Sequence, residues 1–117
     1  MVLALVDDLM FSSKIRTAAK QLDVPLTFAR SRAAALTELR ANRPAVLILD
    51  LNGTRMDPLG TVTEIKSDPA LAGIATVGFV SHVQTDLIDA ARRAGVDEVM
   101  PRSMFVTKLA EILARGR

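Results

Sequence analysis

Four extended runs in this sequence end on side chains able to hold charge or to move it. Val2 to Val6 ends on Asp7-Asp8, Ala45 to Leu49 on Asp50, Ala75 to Val80 on Ser81-His82, and Asp97 to Pro101 on Arg102. Three carboxylates brought close together repel one another, which favours their protonated forms unless a cation neutralises them. A hard divalent ion with oxygen ligands, magnesium foremost, does this, with water and a backbone carbonyl completing its shell. A carboxylate left free to attack beside such an ion suits phosphoryl transfer to Asp50. The Ser81 hydroxyl, by hydrogen bonding, and the Arg102 guanidinium, by charge, then bind the phosphoryl oxygens.

For these residues to meet, the runs that carry them must lie side by side as strands. Ala45 to Leu49 is continuously apolar, entered from Pro44 and left through Asn52-Gly53. That pattern reads as a strand buried on both faces, which requires helices on either side of a parallel sheet. In such sheets the chemistry gathers in the crevice outside the carboxyl ends of the strands. Helical spacing follows each run: Ile15, Ala18, Ala19 and Leu22 within Phe11 to Leu22, and Ala35, Leu36 and Leu39 after Ser31 as N-cap. A further helix lies near Leu59 to Lys66. Leu87, Ile88 and Ala91 mark the next, stopped at Gly95, and the last is capped by Ser103 and carries Phe105, Leu109, Ile112 and Leu113 on one face. Val24 to Ala29 completes the set as a short strand, and Pro25 suits its start better than its centre. Strand and helix therefore alternate five times, which predicts an open parallel sheet with right-handed crossovers.

Composition narrows the chemistry. The 117 residues suit one domain, and half are hydrophobic, yet only four Phe and no Tyr or Trp add aromatic bulk. Fifteen basic against thirteen acidic residues, net +2, with no basic stripe interleaved with aromatics, argue against nucleic acid as a partner. Zero Cys excludes disulfides, thiolate nucleophiles and Cys-ligated metals, and one His excludes multi-histidine metal sites. The first residues carry no basic segment before an apolar one, and no run is long enough for a membrane span, so a soluble cytoplasmic protein is expected.

Simpler roles exist for the same residues. Asp7-Asp8 can cap the first helix. His82 reads as a solvated loop residue, Arg92, Arg93 and Lys108 as solvated helix faces, and Met56, Met100 and Met104 as filling gaps near the rim.

Leu5-Val6-Asp7-Asp8, Val46-Leu47-Ile48-Leu49-Asp50-Leu51-Asn52 and Gly95-Val96-Asp97-Glu98-Val99-Met100-Pro101-Arg102 resemble the receiver domain of bacterial two-component response regulators. The resemblance covers essentially the whole chain, residues 1–117, as a single receiver-like domain with no output domain after Arg117. It implies a flavodoxin-like α/β fold: a doubly wound, three-layer (βα)5 sandwich around a five-stranded parallel sheet in the order 2-1-3-4-5. By this resemblance Asp7 and Asp8 match the metal-binding acid pair and Asp50 the phosphoacceptor. Asn52 matches the residue whose backbone carbonyl ligates the metal, and Ser81 the hydroxyl that reports phosphorylation. It further implies magnesium as cofactor, a sensor histidine kinase or phosphotransfer protein as donor, and a downstream protein target. Association into a homodimer through the fourth-helix to fifth-helix face is also implied. The function implied is phosphorelay signalling, not enzymatic turnover beyond slow autodephosphorylation.

The chain departs from that pattern in three places. Arg102 stands where the family has lysine, Val99 where it has a switch aromatic, and Gly53-Thr54 with Pro58 replaces the common Met-Pro and glycine of the loop. Arginine keeps the charge but is planar and longer. These departures leave open a pseudo-receiver, an interaction module that keeps the fold without the switch. Leu49-Asp50-Leu51-Asn52-Gly53-Thr54 also resembles the first motif of haloacid dehalogenase-like phosphatases, although that motif needs an aspartate where Asn52 stands.

Overall fold

A computed structural model describes residues 1–117. In chain order the elements are β1 (Val2–Leu5), α1 (Leu9–Gln21), β2 (Leu26–Ala29), α2 (Arg32–Asn42) and β3 (Val46–Asp50). A 3-10 turn (Thr54–Met56) leads into α3 (Pro58–Ser67), then β4 (Ala75–Val80), α4 (Thr85–Ala94), β5 (Glu98–Pro101) and α5 (Arg102–Ala114). All strands pair in parallel in the order β2-β1-β3-β4-β5, the doubly wound arrangement the resemblance implies.

Side-chain alternation along the strands divides the core between the two faces of the sheet. Leu3, Leu5, Leu47 and Leu49 join Leu36, Leu39, Val62 and Ile65 under α2 and α3, with Ala91 of α4 beside them. Val2, Ala4, Val46, Ile48, Val77 and Phe79 join Ile15, Phe105, Leu109 and Ile112 under α1 and α5. β1 and β3 are wholly buried, as their unbroken apolar sequence requires.

Local chemistry sets the boundaries. The Ser31 hydroxyl accepts the Ala34 N–H at 3.1 Å and starts α2 as expected. Gly95 ends α4 at φ 108°, a left-handed position that favours glycine. Gly78 lets β4 approach Leu51, whose side chain a Cβ would meet at 2.9 Å. β2 begins later than the sequence suggests, because Pro25 has no N–H for the ladder and only its carbonyl is used, by Val2 at 2.9 Å. α1 begins earlier, at Leu9, because Asp8 caps it.

The expected N-cap of the last helix is corrected. Pro101 is still paired with Val80 in the sheet and α5 starts at the next residue, so Ser103 already lies inside the helix, exposed and capping nothing. Met104 is corrected too: at 47% exposure it faces outward, whereas Met56 and Met100 fill the core.

Candidate functional site: the acidic rim at the strand ends

Asp50 closes β3 in the phase of Val46 and Ile48, so its side chain belongs to the α1–α5 side of the sheet, next to its register partner Phe79 on β4. It is 5% exposed. Its Oδ1 accepts the Asn52 N–H at 3.0 Å, a turn made by the side chain onto the backbone two residues on. Oδ2 has no hydrogen bond and keeps access to solvent. Burial pushes the carboxyl above its ordinary pKa, the Asn52 N–H and the Arg102 charge draw it back down, and Asp7 and Asp8 raise it again. The charges that the sequence places at three strand ends therefore act on one another across the rim.

The Asn52 side chain bridges two loops. Its Oδ1 accepts the Ser81 N–H at 2.7 Å and its Nδ2 donates to Gln84 Oε1 at 2.7 Å. Both bonds tie the loop after β4 to the loop after β3. Ser81 lies on the rim, exposed, with its hydroxyl free of protein partners, and His82 beside it is exposed as expected. The amide of Asn52 is thus engaged in positioning, and an amide offers no general acid.

Asp8 fills the simpler role weighed for the acid pair: its Oδ1 accepts the Phe11 N–H at 3.0 Å and caps α1. Its Oδ2 also lies 3.9 Å from Arg102 Nη2. Asp7 makes no ion pair and lines an open cleft of about 420 Å³ with Leu9, Arg30 and Arg55.

Arg102, the first residue of α5, reaches back over the aromatic core. Its guanidinium carbon sits 4.5 Å from the Phe11 ring centroid and 5.5 Å from that of Phe79, within cation–π range. Phe79 stacks on Phe105 at 4.7 Å and tilts against Phe11 at 4.9 Å. Arg102 Nε is buried without a hydrogen-bond partner. Three of the four Phe therefore build a platform beneath the rim. Sequence reasoning missed it, although Phe105 at i+3 from Arg102 and Phe79 two residues before Ser81 carried the signal. Val99, at the position of the absent switch aromatic, is half-buried against the opposite face of the sheet.

The donor chemistry suits a hard divalent ion: carboxylate oxygens of Asp7, Asp8 and Asp50, and the Asn52 carbonyl. The carboxylates share the rim, but no three acidic side chains close around a common point. The Arg102 guanidinium approaches Asp8 at 3.9 Å and its charge acts on Asp50.

No protein-family model matches the sequence, and no curated protein sequence does so either. Solved structures do match. The phosphorylated cyanobacterial phytochrome response regulator RcpA superposes with a TM-score of 0.80 at 25% identity, over 96% of this chain and 86% of that one. The Mn(2+)-bound form of response regulator Rcp1 gives 0.81 at 22% identity, over 95% and 89%. A response regulator from Hahella chejuensis gives 0.85 at 20% identity, over 97% and 91%. The fold is the flavodoxin-like doubly wound sandwich. Within that class it is the receiver fold of response regulators.

Proposed function

We propose that this protein is a receiver whose Asp50 accepts a phosphoryl group and so alters its binding to a protein partner. One observation carries the reading: the Asp50 carboxylate is seated at the carboxyl rim of the sheet with one oxygen fixed by Asn52 and the other open. A phosphohistidine on a sensor kinase or phosphotransfer protein is the donor. Asp50 Oδ2 attacks phosphorus in line, the P–N bond breaks, and the imidazole leaves as the acyl phosphate forms. Ser81 and Arg102 then meet the phosphoryl oxygens, by hydroxyl and by charge. Asp7, Asp8, Asp50 and the Asn52 carbonyl are the groups that would hold magnesium. When bound, the ion offsets the charge of the carboxylates and of the transferring group. The protein is an acceptor, with no turnover beyond slow loss of its own phosphoryl group.

The exposed apolar side chains stand around this rim: Leu9 and Met10 on α1, Val83 after β4, and Met104 on α5. Such a distribution suits a protein partner. Arg92, Arg93 and Lys108, all exposed, edge the α4–α5 side through which a second copy would associate. No helix is long and apolar enough to cross a membrane, in keeping with a cytoplasmic signalling protein.

A second reading, the pseudo-receiver, draws on Val99 and on the Arg102–Asp8 contact. Amide NMR separates the two. Titration with magnesium and beryllofluoride is expected to shift Asp50, Ser81 and Arg102 saturably, and Asp50→Asn to abolish those shifts. Unmoved spectra at high ligand, with partner binding indifferent to Asp50→Asn, would establish the pseudo-receiver.

A further inference from the structure

We propose that Arg102 is the resting counter-ion of the acid rim, and that a divalent cation and its guanidinium compete for Asp8. This rests on the reading of Asp7, Asp8 and Asp50 as a metal-holding set. Asp8 has two oxygens, and Oδ1 is committed to the start of α1 through the Phe11 N–H. Only Oδ2 is uncommitted, and it faces Arg102 Nη2 at 3.9 Å. A metal ion approaching that oxygen meets a like charge already in place.

The guanidinium is held there by more than its charge. It lies over Phe11 at 4.5 Å, and Phe11 in turn packs on Phe79 and Phe105, both fully buried. A lysine ammonium has no planar face to lay on this platform, so the arrangement depends on arginine. The position is nevertheless incomplete, because Nε is buried without an acceptor. Entry of the cation at Asp8 therefore displaces the guanidinium from Oδ2. By linkage the effect is reciprocal.

The probe is Mn2+ alone, followed by calorimetry and by paramagnetic broadening of amide signals in the wild-type protein, Arg102→Gln and Asp50→Asn. Arg102→Gln removes the charge and keeps hydrogen-bonding capacity, and its amide spectrum reports whether the fold survives. If that variant fails to fold, Phe11→Leu removes the ring beneath the guanidinium while keeping an apolar side chain. The expected result is Mn2+ binding about tenfold tighter in the released variant, with broadening centred on Asp7, Asp8 and Asp50 and weakened in Asp50→Asn. Equal or weaker binding in the variant overturns the competition and leaves the acceptor reading standing. No binding to either protein overturns the competition and removes the metal from the proposed function, while phosphorylation of Asp50 is judged separately.

Discussion

The side-chain oxygen of Asn52 accepts the Ser81 N–H at 2.7 Å, joining the loop after β3 to the loop after its neighbour β4. The other end of the same amide holds Gln84. Through Asn52 the loop that carries Ser81 is fastened to the loop that follows Asp50. Asn52→Ala removes both bonds and is expected to speed amide exchange at Ser81, His82 and Gln84 about tenfold, with a global loss of ~1 kcal/mol. Exchange rates by NMR check this; protection unchanged at Ser81 would show that the loop is held by something else.

Asp50 is buried as an acid whose charge the fold disfavours. A raised carboxyl pKa means that the native state binds the proton more tightly than the unfolded chain. The penalty therefore grows as pH rises from the ordinary value of 3.8 through the folded value, and is fully present at neutral pH. Asp50→Asn removes it. The variant is expected to be more stable by ~1 kcal/mol at neutral pH, with the gap closing toward pH ~4. Urea unfolding at the two pH values measures both numbers.

Glu98 and Arg115 give the opposite sign. Arg115 donates to both Glu98 oxygens, at 2.6 and 3.3 Å, and holds the carboxyl below its ordinary range. This contribution is present above the ordinary value of 4.5 and is lost as pH falls through the lower folded value. The pair is more than a third exposed, so Glu98→Gln is expected to lose only ~0.5 kcal/mol at neutral pH and nothing in acid. Parallel melts of the two proteins across that range test it.

Thr76 is fully buried, and Asp97 Oδ2 accepts both its N–H at 2.8 Å and its hydroxyl at 3.0 Å. Lys66 approaches the same oxygen at 3.6 Å. Removing the carboxylate leaves a buried donor without a partner, so Asp97→Ala is expected to destabilise by ~2 kcal/mol without touching the rim. Denaturant unfolding measures the loss, and a beryllofluoride response like that of the wild type shows the site untouched.

The fold was legible because its signals are local. Apolar runs such as Val46 to Leu49 announce strands buried on both faces, and the polar residue that ends each one marks the rim. Ser31 as a cap was legible for the same reason. Ser103 was misread because Pro101 is at once the end of β5 and the entry to α5, which leaves no extended residue for a later cap. Met104 was misplaced with it, since a helix starting at Arg102 turns that side chain outward. The candidate residues of the rim were legible by type. Their side-chain contacts were not, because the Arg102–Phe11 contact and the Asn52 bonds span elements far apart in sequence.

Phosphoryl acceptance at Asp50 is tested most directly by incubating the protein with a small-molecule phosphodonor and magnesium and recording its intact mass. The expected result is one phosphoryl adduct, labile as acyl phosphates are and missing from Asp50→Asn. No adduct, or an adduct that persists in Asp50→Asn, would contradict the assignment.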